Sequence, residues 1–429
     1  MKGTHKYNII CLSNQFFDLP LKTNKWHVMT RLSKLGHNVL FVNPPTRYKA
    51  LKNLFRPGHL SFKSLSGIRK ENEALTIYSP INIFNFRPFS IINTWVHSQR
   101  IGSLLSAYEK RKTILWVYHF DFPDMENFIK KLEYDLLIYD VVDEYSAFPE
   151  YAKGKKVNKG IVAFIQNLDE VLKVRLNQSG FSGKKWVVKR EEWLAEKSDL
   201  IFASAPGLVT KFKNMCLKIG KDTEEVYFLP NSGDFERFHK VEEYKKSVPE
   251  DLAGIPRPRI LSTGALDSYK VNIGLIEMCA KAYPGFSFVL IGPERLSDPD
   301  LDLSSLKSLK NVFLLGLKPY EILPYYTASS DAFIIPYNLN EYTIGGCFPV
   351  KFHDALSSGL PVIVTNLPAY KPFSNVCYIA KSDEEFIRFV KTALMEDSKQ
   401  KFIQRQAVAK KNTWDIKVET QLKLIGTFY

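Results

Sequence analysis

The chain lacks any stretch of the roughly 18 consecutive apolar residues that a spanning helix needs, so no membrane-crossing segment is expected. Its five cysteines, at 11, 216, 279, 347 and 377, are odd in number and scattered, and no two stand in a C-x-x-C pair. That excludes a disulfide framework and a zinc ribbon and points to a reducing compartment. The eight histidines show no H-E-x-x-H or other ligand spacing, so no bound metal is expected. A G-x-x-x-x-G-K-[ST] loop is missing, as is a strand-following G-x-G-x-x-G with a distal acid, which removes P-loop enzymes and the common dinucleotide fingerprint. There are no internal repeats and no low-complexity tracts. The apolar run at residues 7–12 is too short for the core of a signal peptide and reads as a first buried strand.

Acid is scarce in the first half. Residues 1–235 hold 35 Lys and Arg against 23 Asp and Glu, whereas residues 236–429 hold 24 against 22. The net charge of +14 therefore belongs mostly to the first half. Such a surplus suits an anionic membrane surface, a lipid-phosphate substrate or nucleic acid, and no nucleic-acid motif accompanies it. Ten Lys or Arg fall within residues 151–190, beside Trp186. This stretch interrupts the rhythm around it and is expected to be a basic insertion, either a helical surface or a membrane- or acceptor-binding element. With 45% hydrophobic and 24% charged residues the chain is globular, and 429 residues exceed one ordinary core.

What is present is an alternation of short apolar runs and helical patterns. Strands are expected at 7–13, 38–43, 113–118, 135–140, 199–204 and 225–229. A second series is expected at 259–263, 286–291, 312–315, 331–336, 361–365 and 376–380. Trp26, Met29, Leu32 and Leu35 mark one face of a helix over 24–35 that Gly36 stops. Repeated strand–helix alternation implies parallel sheets, one in each half. The charged, proline-containing stretch 232–257 reads as a linker, and the tail from about residue 398 as one long amphipathic helix.

Residues 336–365 carry most of the chemistry. An apolar strand runs into a Gly-rich loop, then a short helix bearing Lys351 and Asp354, then a second buried strand. A loop at the carboxyl end of a parallel strand that opens a helix is where α/β proteins hold phosphates. A lysine in the first helical turn opposes the helix dipole, a cost that an anion bound there would offset. Gly264 with Lys270, and Gly292, end the first two strands of the second half, where small residues let a ligand approach the backbone. In the first half Asp140, Asp143 and Glu144 crowd the end of a strand, which suits a general base or ordinary turn chemistry. Ser13, Asn14 and His27 lie at the first strand-to-helix turn and His119 ends another strand, all candidates for the acceptor side. The D-x-D spacing at 298–302 sits in a Pro-containing loop and is set aside as a metal site.

Five segments, in order, carry a resemblance: LLIYDVVDEYSAF at 136–148, LPNSGD at 229–234, VLIGP at 289–293, LGLKPYEILP at 315–324 and PVKFHDALSSGLPV at 349–362. They resemble the family-4-like glycosyltransferases of teichuronic acid and capsule assembly, and the xanthan-type glucuronosyltransferases. The resemblance runs from about residue 7 to 425. It implies a GT-B fold of class α/β, with two Rossmann-like domains facing a cleft: an acceptor domain at 1–235, a nucleotide-sugar domain at 236–405 and a helix at 406–429 crossing back. It implies that Lys351 contacts the nucleotide diphosphate, that Tyr337 contacts phosphate or sugar, and that Lys318 and Tyr320 hold the base. Asp354 would bind ribose hydroxyls, or cap and pair on its own helix. Retaining members carry two glutamates across this loop; here Gly346 stands eight residues before Asp354, and Glu341 is displaced from the first position. That departure points to inversion, with Asp143 as the base on the acceptor hydroxyl.

The expected function is transfer of a sugar from a UDP-type donor, without a cofactor or metal, to a polyprenyl-diphosphate-linked or glycan acceptor. The enzyme would be peripheral on the cytoplasmic face of an anionic membrane. The alternatives are a retaining family-4 transferase, a nucleotide-sugar epimerase on the same fold, and a non-catalytic anion-binding protein.

Overall fold

The structure, a computed structural model, describes residues 5–47, 67–82, 89–118, 124–148, 184–294, 298 and 301–429. These fall into two compact units divided between Leu229 and Pro230, with Pro20–Asn24 grouping with the second.

In the first unit the strands are β1 (Asn8–Leu12), β2 (Asn38–Val42), β3 (Thr46–Arg47), β4 (Ile68–Asn72), β5 (Leu75–Tyr78), β6 (Ile81–Asn82), β7 (Thr113–Val117), β8 (Leu136–Val141), β9 (Leu200–Ala203) and β10 (Val226–Phe228). Among the described residues, eight of them form one sheet in the order β10-β9-β8-β7-β1-β2-β5-β4, and β3 pairs with β6. Every neighbour in the large sheet is parallel except β4–β5. Strands β1 and β8 are buried along their whole length, as expected of parallel strands covered on both faces. The helix Asn24–Lys34 buries Val28, Met29 and Leu32, and Gly36 takes the left-handed φ of 85° that ends it.

The second unit repeats the design. It contains β11 (Arg259–Thr263), β12 (Ser287–Ile291), β13 (Val312–Leu314), β14 (Ala332–Ile335), β15 (Val362–Thr365) and β16 (Tyr378–Ala380). They form an all-parallel sheet in the order β13-β12-β11-β14-β15-β16. Two Rossmann-like parallel-sheet units make the chain a GT-B fold of class α/β, as the motifs implied.

Two expectations need correcting, and two strands are additional. The stretch 232–257 is not a bare linker: it forms the helices Phe235–Phe238, Val241–Tyr244 and Glu250–Ala253 and packs as part of the second unit. The tail is two helices, Lys399–Lys410 and Trp414–Gly426, because Thr413 caps the second through Ile416 N–H and bridges to Gly233. Strands β4 and β5 were not expected, since β4 reads IRKEN and half of it faces solvent. Of the basic stretch 151–190, residues 151–183 lie outside the described residues. Its end opens the helix Lys184–Lys197, where Arg190 sits 4.5 Å from the Trp186 ring. Among the described residues no helix is long and apolar enough to cross a membrane.

Candidate functional site

Strand order locates the crevice in each unit. In the second sheet the chain runs outward from β11 through β12 to β13, then returns to the other side of β11 for β14, β15 and β16. The carboxyl ends of β11 and β14 therefore flank the switch point, where ligands bind in open α/β sheets. Thr263 and Gly264 end β11, and Pro336 and Tyr337 follow β14. The loop after β11 is laced to the loop after β14: Asn272 N–H donates to Pro336 O at 2.7 Å, Asn338 N–H to Lys270 O at 2.8 Å and Asn338 Nδ2 to Ser268 O at 2.7 Å. The Asn340 amide reaches Tyr269 O at 2.6 Å.

Lys351 enters this crevice from the first position of the helix Lys351–Ser357. Its Nζ donates to the Thr263 carbonyl and lies 5.0 Å from the centroid of the Tyr337 ring. Burial pushes its pKa down to about 7, and the nearby Lys270 ammonium pushes the same way. Lys270 in turn is 3.6 Å from the buried Asp267. Two half-buried lysines thus share a corner, and among the described residues Lys351 makes no ion pair. An anion placed there would restore the full charge of Lys351.

The glycines make room for this arrangement. Gly264 (φ 109°) and Gly292 (φ 154°) both take values reserved for glycine. A Cβ on Gly292 would sit 2.0 Å from the Gly264 carbonyl oxygen, and one on Gly264 would sit 3.2 Å from Lys351 Nζ. The two turns are nested, with the lysine against them.

The other sequence candidates of this unit are placed differently. Asp354 is buried and accepts from Asp234 N–H at 2.8 Å and from the Tyr320 hydroxyl at 3.4 Å. Burial raises its pKa to about 8. Tyr320 packs edge-on against Phe238, with the Arg237 guanidinium 5.2 Å from its ring. Lys318 pairs with Asp251 at 2.7 Å. Lys318 ties the loop before Tyr320 to the helix Glu250–Ala253, and Asp354 and Tyr320 tie the segment after β10 to the helix of Lys351. Gly233 belongs to the same tie, since a Cβ on it would meet His353 Cβ at 2.8 Å. Glu341 is exposed at the start of the helix Glu341–Gly346, whose cap is the reciprocal Asn340–Thr343 pair.

In the first sheet the switch point lies between β1 and β7. Ser13 closes a turn with Gln15 at 2.7 Å. Asn14 follows it half-buried. His27 is fully buried in the helix Asn24–Lys34 with its ring edge-on to Trp26, a core position. His119 lies outside the described residues. Asp140 accepts from Trp116 Nε1 at 3.1 Å. Glu144 caps the turn at Ser146 and pairs with Lys211 at 2.5 Å, and Lys211 also holds the buried Glu191 at 2.7 Å. Sequence reasoning missed Lys25. It is buried 5.6 Å from the Tyr118 ring centroid, and burial lowers its pKa to about 8 while Asp143 and Asp140 hold it up. The expected crowd of carboxylates is thus divided among cations and donors, with Asp143 half-buried near Lys25. Nothing in a lone Lys25 within a helical pattern signals this. Only the topology brings it to the β8 end.

Known proteins bear on both units. Residues 257–394 match the family model described as "Glycosyl transferases group 1". That span contains the whole lysine corner, and the second unit carries a group 1 glycosyl transferase domain. The chain is 23% identical over 249 residues to the "Putative teichuronic acid biosynthesis glycosyltransferase TuaH" of Bacillus subtilis (strain 168), covering 57% of this chain and 60% of that protein. Among solved structures, sucrose-phosphate synthase from Thermosynechococcus elongatus aligns with a TM-score of 0.63 at 12% identity over 99% of both chains. Anabaena Alr3699/HepE in complex with UDP and glucose aligns at 0.61 and 13% identity, again over 99% of both. At these identities the structures share the fold with this chain.

Proposed function

We propose that this chain is a glycosyltransferase that takes a sugar from a nucleoside-diphosphate donor, UDP-linked, and passes it to a lipid-linked or glycan acceptor in cell-surface polysaccharide synthesis. One observation carries the reading: half-buried Lys351, short of counter-charge beside Lys270, at the switch point of the domain with the family match. A diphosphate supplies the missing negative charge, and the same contact stabilises it as the leaving group. A neighbouring structure of the same fold was solved with UDP and glucose. The acceptor belongs to the first unit, at an anionic membrane surface.

The family match favours the retaining alternative over inversion by Asp143. Retention without a carboxylate at position 346 has a direct chemical form. The acceptor hydroxyl attacks from the face the diphosphate leaves. Its proton passes to the departing phosphate oxygen, and Lys351 and Lys270 hold that oxygen's charge. Inversion remains the second reading, because Asp143 stands half-buried at the β8 end.

The test is to incubate the chain with UDP-sugars and acceptor and read the product anomer by NMR. Retained configuration, with transfer surviving Asp143→Asn, supports the retaining form; an inverted product abolished by Asp143→Asn restores the first expectation. Turnover of the UDP-sugar to its epimer without acceptor would replace the transferase reading altogether.

A further inference from the structure

The helix Phe89–Leu105 is built inside out. Its buried positions are mostly polar: Ser90, Asn93, Thr94, His97 and Ser98, with Ile101. The polar side is well served, since His97 Nδ1 meets the Tyr78 hydroxyl at 2.7 Å and Nε2 meets Asn82 Oδ1 at 2.8 Å. Its outward positions are large and apolar. Ile91 is 50% exposed, Ile92 49%, Trp95 56% and Val96 44%. At spacings of one, four and five residues these four share one face of the helix. A soluble surface helix normally shows the opposite pattern, and a contiguous apolar face of this kind marks an interaction site.

We propose that this face of the helix Phe89–Leu105 docks the protein on an anionic lipid surface. This rests on the membrane part of the functional reading and names the surface that performs it. The charge of the helix selects lipid over a second protein copy. The helix contains no Asp or Glu, and its one charged residue, Arg100, is exposed one turn beyond Trp95 and Val96. A two-fold dimer through this face would bring no acid to Arg100 from the partner's copy of the helix, whereas acidic headgroups supply the opposite sign. Trp95 and the isoleucines supply the apolar part that sits among the acyl chains, as in interfacial helices.

The experiment is co-sedimentation of the full chain with vesicles of phosphatidylglycerol and phosphatidylcholine, and with phosphatidylcholine alone. Binding to the anionic vesicles is expected, weakened by high salt. Ile92→Ser combined with Trp95→Ser should lower it about tenfold or more, with melting temperature and UDP affinity unchanged because both side chains are exposed. Unaltered vesicle binding by that variant overturns the proposal. So does a lipid-free dimer in sedimentation velocity that the variant loses, which would give the face to a second copy. Patch-dependent vesicle binding in a protein that ignores UDP would uphold the docking face while removing the transferase reading.

Discussion

Lys351 and Asp354 lie three residues apart on one short helix and are perturbed in opposite directions by the same cause. Burial disfavours the charged form of each. Asp354 rises from 3.8 to about 8. The folded chain therefore binds more protons than the unfolded chain between those values, and stability falls as pH rises through that window. Asp354→Asn is expected to flatten this decline, read as melting temperature against pH relative to wild type. Lys351 falls from 10.5 to about 7, so its contribution has the other sign: stability grows as pH rises from about 7 to 10.5. A bound diphosphate needs the protonated lysine, so UDP affinity should weaken as pH rises above about 7. Lys351→Arg should keep binding and lose that dependence, because a guanidinium stays charged; calorimetry across this range checks it. The sequence made Lys351 legible, since a lysine against the helix dipole is conspicuous. It could not show the hydrogen bonds of Asp354 and Tyr320, which run to Asp234 and to each other and depend on how the segment after β10 folds back.

At the scale of elements, the turns after β11 and β12 and the cluster behind β8 bear the structure's strain and charge. Gly292→Ala places a Cβ against the Gly264 carbonyl. Since backbone cannot yield cheaply, a loss of about 1–3 kcal/mol is expected, together with weaker UDP binding because the lysine corner shifts. Lys211→Met removes the cation from the buried Glu191 and from Glu144. An uncompensated buried carboxylate costs about 3–5 kcal/mol; chemical denaturation measures it. Strands such as β1, β8 and β12 could be read from sequence because parallel strands buried on both faces are continuous apolar runs. β4 could not, being a half-exposed edge of charged residues. The tail looked like one helix because its apolar spacing continues across Thr413, and only the cap and the bridge to Gly233 show the break.

Across the whole molecule, charge and chemistry are divided between the units. The basic surplus of the first half was plain in composition, but its apolar counterpart was not. The face of Ile91, Ile92, Trp95 and Val96 is not singled out by the sequence, and only the structure shows that the polar side is the one covered. The donor crevice was half legible: the glycines and Lys351 stand out, whereas Lys270 and Tyr337 gain meaning from the pairing of the loops after β11 and β14. The central claim is that this crevice in the second unit seats a nucleoside diphosphate on Lys351. Titration of UDP into the wild type and into Lys351→Ala by calorimetry tests it most directly. A charge-assisted hydrogen bond is worth about 1.5–3 kcal/mol, so the account predicts saturable binding to the wild type that Lys351→Ala weakens about ten- to a hundredfold. Equal affinity in the two proteins, or no binding to the wild type, would contradict it.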